Sequence, residues 1–446
     1  MEQTHFYHII TLGCQMNKSD SERMAGVLDK MGLMSTDDVK MADVILMNSC
    51  SVRKSAEDRV SGFSHNFLEL KKNKPNLIIG VTGCMPGRDK DGKLKDRLFG
   101  VDLYFPIHEM TNLPMWLSKL NPELRSGENL IIDYLALRPN YNSSFQAYIP
   151  IQTGCNHFCT YCVVPHARGV EGNRPLQQIL KEVRDLASRG YLEITLLGQI
   201  VNHYIAPDPL NFSSDNPYKQ NDFAKLLWEI NKIEGIERVH FTAAHPVYMD
   251  DEVVDALGLQ KQVNFLHLPV QSGNNEILQK MNRRHDREFF INTIKKIRKK
   301  RPDIAIATDL IVGFCGEDEN QFADTVSMYR ECEFDISYHA QYSEREGTLA
   351  AKEFEDNVPK STKKQRWQVL QDLMVEITYK KNQKYIGKIV SVLVDRFEDG
   401  YCYGNSNEMK LVSFPGDKSF VSTIQPVKIT RADIWLLQGE RYRKTS

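Results

Sequence analysis

Between residues 147 and 338, six short apolar runs alternate with helical patterns, and no other feature of the chain limits its fold as much. The runs span 147–152, 193–197, 238–243, 263–268, 304–312 and 334–338. Between the first two, Pro175 opens a helical pattern that carries Leu176, Ile179, Leu180, Val183 and Leu186 and stops at Gly190. Strand alternating with helix implies a parallel sheet. Six such units predict an α/β architecture, an open, partial (β/α)6 TIM-like barrel, with its chemistry at the carboxyl ends of the strands.

The flanks read differently. Three further apolar runs, 6–12, 43–47 and 77–81, are separated by helical patterns and predict a second, open parallel-sheet unit. Ser19 and Glu22 form a capping box for its first helix, which stops near Gly32; Val52, Ala56, Val60, Phe63 and Phe67 mark the second. From about Lys381 the texture changes to short alternating strands with Gly-rich turns, predicting a small antiparallel β-barrel. The expected domains are 1–135, 145–375 and 378–440. A formal net charge of -1 argues against a uniformly basic nucleic-acid coat, though not against a local basic patch. No run approaches the length of a spanning helix and the start has no signal-peptide pattern, so a cytoplasmic protein is expected.

In that setting the nine cysteines are not a disulfide framework. Cys155, Cys159 and Cys162 follow the first barrel strand with C-x3-C-x2-C spacing. Three thiolates on one loop hold an iron–sulfur cubane with one iron left open to a small molecule. A zinc loop completed by His157 or His166 is the alternative. Cys14, Cys50 and Cys84 stand alone in sequence, yet each lies just past the end of an apolar run of the N-terminal unit. In a parallel sheet those ends share one edge, so the three make either a second three-legged holder or three unrelated buried residues.

The triplet, with Tyr161 in its aromatic slot, resembles the signature of the radical S-adenosylmethionine (SAM) enzymes. The ordered motifs GCQMNKSDSE, NSCSVR, GCMP, GCNHFCTYCVVPHARG, TLLGQIVN, FLHLPVQSG and DLIVGFCGE, at 13–22, 48–53, 83–86, 154–169, 195–202, 265–273 and 309–317, resemble the methylthiotransferases over nearly the whole chain. Within that family they look most like the branch acting on isopentenyladenosine in tRNA. Departures are Cys315 in place of a proline, GCMP where a glutamine is usual, and a looser Glu171 to Arg174 stretch that leaves Asn173 without a clear part. The resemblance implies two [4Fe-4S] clusters, one on Cys155, Cys159 and Cys162 and an auxiliary one on Cys14, Cys50 and Cys84. It implies two SAM molecules, one donating a methyl group to sulfur and one yielding the radical that removes hydrogen from carbon 2 of adenine 37. Tyr161, Gly198, Gln199, Gln271, Ser272 and Asp309 are the candidates to line the cofactor site, and a monomer served by an external flavodoxin- or ferredoxin-like electron donor is expected.

The C-terminal barrel resembles the RNA-binding TRAM domain, where Tyr401, Tyr403 and Phe414 are candidates to stack on bases. Ahead of it Lys360, Lys363, Lys364, Arg366, Lys380, Lys381 and Lys384 are candidates for phosphate contact, and residues 295–301 form a second basic cluster. Other readings are a methylthiotransferase for threonylcarbamoyl-adenosine or for a ribosomal-protein aspartate, and a zinc-dependent RNA-binding protein without catalysis.

Overall fold

The computed structural model describes residues 4–51, 54–124 and 134–443; Val52 of the second helical pattern lies outside the described residues. The N-terminal unit is a five-stranded parallel sheet of β1 (Phe6–Leu12), β2 (Met34–Ser35), β3 (Val44–Ser49), β4 (Ile78–Gly83) and β5 (Leu103–Tyr104), in the order β2-β1-β3-β4-β5. Helices α1 (Gln15–Lys30), α2 (Lys54–Asn73), α3 (Cys84–Arg88) and α4 (Leu113–Leu120) connect or cover it. β3 and β4 are buried along their whole length because one core packs Leu46 and Ile78 with Met24 and Leu28, and another packs Ile45 and Val81 with Val60 and Phe67.

The first helix starts earlier than its expected Ser19–Glu22 cap. Cys14 is the N-cap, and Asn17 Oδ1 accepts the Cys14 N–H at 3.2 Å. Asn17 Nδ2 donates to Asn48 Oδ1 at 2.9 Å, which locks this turn onto β3. Ser19 and Glu22 therefore lie inside the helix and serve the next unit: Ser19 Oγ is 3.4 Å from the Tyr148 carbonyl, and Glu22 Oε1 accepts the Asn142 N–H at 3.1 Å.

The central unit carries β6 (Gln146–Pro150), the hairpin β7 (Gln152–Thr153) and β8 (Gly172–Asn173), then β9 (Glu193–Leu197), β10 (Arg238–Phe241), β11 (Phe265–His267), β12 (Ala305–Val312) and β13 (Ile336–Gln341). β6, β9 and β10 form one parallel sheet, β11, β12 and β13 another, and a bridge between Val239 and Gln262 joins them in chain order. Helices α5 (Val164–Arg168), α6 (Leu176–Ser188), α7 (Asp222–Asn231), α8 (Asp251–Ala256), α9 (Asn275–Lys280), α10 (Arg287–Lys300), α11 (Glu319–Cys332), α12 (Leu349–Glu353) and α13 (Lys360–Gln383) complete it. Among the described residues this is the six-stranded partial barrel its alternation predicts.

β14 (Ile389–Glu398), β15 (Tyr401–Ser406), β16 (Leu411–Pro415), β17 (Ile424–Ala432) and β18 (Leu437–Arg441) close into a small barrel in the order β14-β15-β16-β18-β17. It is not wholly antiparallel. The β17–β18 hairpin bonds to β14 on one side, so closure brings β18 against β16 running the same way, with Val412 opposite Leu437. The barrel sits at the amino ends of the central strands: Arg238 donates to the Asn405 and Ser406 carbonyls at 2.8 and 2.9 Å, and Asp335 meets Lys410 at 3.0 Å.

Candidate active site

The loop after β6 carries the cysteine triplet. Gly154, with φ +71, starts it, and any Cβ there would collide with the Val170 carbonyl. The Cys155 N–H donates to the Gly169 carbonyl at 3.1 Å, while Thr160 is pinned to the end of α9 through Met281 O at 3.1 Å and Lys280 O at 2.8 Å. Backbone N–H groups of His157 and Val164 point at the sulfurs of Cys155 and Cys162, each at 3.4 Å. Burial pushes the Cys155 thiol up to about 11 and that of Cys162 up to about 12. Ionised sulfurs here need a compensating charge. Arg283 supplies one, with Nη1 3.6 Å from Cys159 Sγ and Nη2 donating to the Pro269 carbonyl at 2.9 Å. Three thiols on one loop, two backbone donors and a half-buried guanidinium fit an anionic iron–sulfur cluster. Of the two histidines near the loop, His157 has Nε2 2.8 Å from Tyr248 Oη, and His166 is exposed.

The triplet opens into a cavity of about 140 Å³ whose wall includes Tyr161, Gln199 and Gln271. Gly198, Ser272 and Asp309 are not part of that lining. Gly198 packs on Gln152, Ser272 Oγ accepts the Asn274 N–H at 3.3 Å, and Asp309 pairs with His267 at 3.2 Å. Sequence reasoning missed Arg283 and His245, both in the cavity wall. Arg283 had no signal beyond following α9, whereas the His245-Pro246 pair just past β10 marked a strand end. Ala243 and Gln271, also lining residues, hold left-handed φ values of 63 and 78.

The second set is assembled by register. Leu12 lies opposite Ser49, and Ser49 opposite Gly83, so Cys50 and Cys84 leave neighbouring strands at the same level and Cys14 follows one residue beyond it on β1. Neighbouring strands are about 4.8 Å apart. The Cys50 N–H donates to the Leu12 carbonyl at 2.9 Å. Cys50 and Cys84 are buried and Cys14 is exposed. Burial pushes the Cys84 thiol up, and Arg168 beside it acts in the opposite direction. Arg168 comes from the central unit; its Nη2 reaches Asp20 Oδ2 at 2.6 Å, Tyr134 donates to the same carboxylate, and its buried Nη1 has no partner. This donor set also fits a cluster held by three thiolates. Among the described residues, no three His, Cys, Asp or Glu side chains gather around a single ion-sized point.

One helix contact links the two sets. Cys84 opens α3, and α5 begins two residues after Cys162. Gly87 on α3 lies so close to the Ala167 carbonyl on α5 that a Cβ would collide with it. The two cysteine sets thus stand at either end of one tight backbone contact between the units.

The basic stretch on α13 requires correction. Lys363, Arg366 and Lys381 are not free for phosphate. Lys363 Nζ donates to the Tyr342 carbonyl at 3.0 Å and pairs with Asp356, Arg366 meets Glu317 at 2.9 Å, and Lys381 meets Asp335 at 2.7 Å. They lie on the inward face of α13, where acidic side chains of the central unit neutralise them. Lys360, Lys364, Lys380 and Lys384 are exposed. Phe414 is buried in the small barrel's core and cannot stack on a base; Tyr401 is exposed, and Tyr403 lies under Arg396 at 4.5 Å. The second basic cluster is largely tied down, with Lys295 on Glu331 at 2.9 Å and Arg298 on the Glu333 carbonyl at 3.0 Å. Cys315 packs in a core with Ile277, Met281 and Phe314.

Comparison with known proteins agrees with this geometry. Residues 149–329 match the radical SAM superfamily, and residues 6–106 match uncharacterized protein family UPF0004. The chain is 41% identical over 452 residues to the tRNA-2-methylthio-N(6)-dimethylallyladenosine synthase of Thermoanaerobacter sp. (strain X514), covering 98% of this chain and 92% of that one. It is 42% identical over 447 residues to the protein of the same name from Bacillus subtilis (strain 168), covering 97% and 85%. Among solved structures, the radical S-adenosylmethionine methyltransferase TsrM from Kitasatospora setae, with tryptophan substrate and a SAM analogue bound, superposes with a TM-score of 0.55 at 12% identity, over 76% of this chain and 73% of that one. That likeness concerns the fold alone. Among the described residues no helix is long and apolar enough to cross a membrane.

Proposed function

The chain belongs to the tRNA-2-methylthio-N(6)-dimethylallyladenosine synthase family, and from that membership we propose that it methylthiolates carbon 2 of isopentenyladenosine at position 37 of tRNA. It is a radical SAM enzyme, and its family implies one [4Fe-4S] cluster and SAM. Cys155, Cys159 and Cys162 would hold that cluster, and Cys14, Cys50 and Cys84 a second, auxiliary one. When bound, the first supplies the electron that cleaves SAM to a radical able to break an aromatic C–H bond, and the second holds sulfur ready for methylation and transfer.

The chain's own residues do the positioning. Arg283 and Arg168 bring positive charge to the two cysteine sets, and each is held by a second partner, the Pro269 carbonyl and Asp20. The α3–α5 contact keeps the sets at a constant separation, as two centres acting on one carbon require. Tyr161, Gln199 and Gln271 wall the cavity beside the triplet. A base in an anticodon loop is already partly unstacked, so presenting it to such a cavity costs less than extracting it from a duplex. The exposed lysines Lys360, Lys364, Lys380 and Lys384 are offered to the RNA backbone. A flavodoxin- or ferredoxin-like carrier supplies electrons, and the enzyme works as a cytoplasmic monomer.

The observation that carries this reading is the pair of three-cysteine sets at strand ends of two units clamped together. Cys14→Ala tests it. About half the iron is expected to remain, with 5'-deoxyadenosine still formed and no methylthio product. Unchanged iron or retained product would sink the assignment of the auxiliary site. Product on unprenylated tRNA alone, or on a ribosomal protein, would sink the substrate assignment, and zinc without iron in anaerobically purified protein would sink the enzymatic one.

A further inference from the structure

His245 is a buried histidine in the wall of the cavity beside the cysteine triplet, 4% exposed. Its two ring nitrogens have different fates. Nδ1 accepts the Val247 backbone N–H at 3.3 Å, capping the short turn that follows β10. An amide N–H can only donate, so Nδ1 must be the unprotonated nitrogen and Nε2 must carry the hydrogen. That Nε2–H is buried and has no partner. Burial, with Arg283 and His157 beside it, holds the ring in its neutral form. A buried, uncharged donor without an acceptor costs stability unless something accepts from it.

The surrounding wall narrows what that acceptor is. Ile200, Ala243, Ala244 and Pro269 give the cavity apolar faces. Ala243 and Gln271, at the ends of β10 and β11, adopt left-handed backbone, which L-residues hold only where the surroundings demand it. Gln271 is fixed there by two backbone bonds of 2.9 Å, from its N–H to Asp309 O and from Ile311 N–H to its own carbonyl. Apolar walls beside a neutral donor that has no partner of its own suit a heteroaromatic ring bearing an unprotonated nitrogen, with Tyr161, Gln199 and Gln271 also in the lining.

We infer that His245 is a binding residue, donating its Nε2–H to a ring nitrogen of an adenine seated over the cysteine triplet. This rests on the proposed function, which brings two adenines to the cavity: the adenosine of SAM and the target base. The chemistry is shared, and the sources separate on testing.

Two substitutions separate ligand binding from capping. His245→Asn keeps an acceptor near Nδ1 and removes the donor; His245→Gln keeps a donor near Nε2 and removes the cap acceptor. Binding of S-adenosylhomocysteine and of N6-isopentenyladenosine to the iron-loaded enzyme would be measured by calorimetry. His245→Asn is expected to weaken one of them about tenfold while His245→Gln stays within about threefold of the parent. Loss confined to S-adenosylhomocysteine identifies the cofactor's adenine, and loss confined to the nucleoside identifies the target base. Parent-like binding of both ligands by His245→Asn, or equal loss in the two variants, would overturn the inference. Failure of the parent enzyme to bind either ligand would overturn the proposed function and this inference with it.

Discussion

Glu22 carries a carboxyl held from water with only one oxygen satisfied: Oε1 accepts the Asn142 N–H and Oε2 is buried without a partner. Burial pushes its carboxyl up to about 7 from 4.5; the Asn142 N–H, Arg23 and Lys18 act downwards and Glu182 upwards. The folded chain therefore binds this proton more tightly than the unfolded one. Its contribution to stability is complete below the unfolded value and is lost as pH rises through about 7. Glu22→Gln should stabilise the protein at pH 8 by about 2–3 kcal/mol, with the gain shrinking towards pH 5, as read by urea unfolding at each pH. Arg168 is the opposite case, a buried cation whose Asp20 partner comes from the other unit. Arg168→Gln should cost about 3–5 kcal/mol, and adding Asp20→Asn should recover part of it. A double mutant no better than the single would rule out an uncompensated charge as the cause. Neither pairing is legible in sequence, since nothing local connects Asp20 with Arg168.

At the scale of elements, α1 and α13 mark where local reading held and where it stopped. The Pro175 and Gly190 boundaries of α6 lie within two residues of the helix, Leu176–Ser188, because proline at the start and glycine at the stop act locally. The start of α1 was misplaced because its cap is Cys14, held through an Asn17 side chain that is also bonded to Asn48 on another strand. On α13 the charges were visible but the partners were not. Lys380→Glu together with Lys384→Glu should lower the salt-dependence slope of tRNA binding by about 2 while leaving the unfolding midpoint near that of the parent. Lys381→Glu should instead lower stability, because it places a second carboxylate beside buried Asp335. A filter-binding salt titration paired with a melt checks both; a slope unchanged by the first pair would remove those lysines from the RNA surface.

At the scale of the whole molecule, α13 runs from the chemical end of the central strands, where Arg366 meets Glu317, to their amino ends, where Lys381 meets Asp335. Its 24 residues make a strut about 36 Å long. Asp335 is the joint: Lys381 from α13 and Lys410 from the small barrel converge on it, and it accepts the Ile306 N–H at 3.0 Å. Asp335→Asn should loosen the small barrel, so that limited proteolysis cuts near Gly387 faster than in the parent while the iron on the cysteine triplet is retained. Equal cleavage rates would show that the remaining contacts, among them Arg238 on the Asn405 and Ser406 carbonyls and Asn382 on the Asp433 and Ile434 carbonyls, hold the barrel without the Asp335 charge. From sequence alone, the strand–helix alternation, the spacing of the Cys155–Cys162 triplet, the place of Cys14, Cys50 and Cys84 just past apolar runs and the switch to short strands near the C-terminus were all readable, because periodicity and spacing are properties of neighbouring residues. Which cysteines share a level, which arginine faces which set, which lysines are neutralised, and that His245 keeps an unmet donor in the cavity wall were decided only by the tertiary structure. Those facts depend on strand register and on charged side chains meeting partners brought in by the fold, from 46 residues away for Lys381 and Asp335 to 148 for Arg168 and Asp20, and no local pattern encodes either.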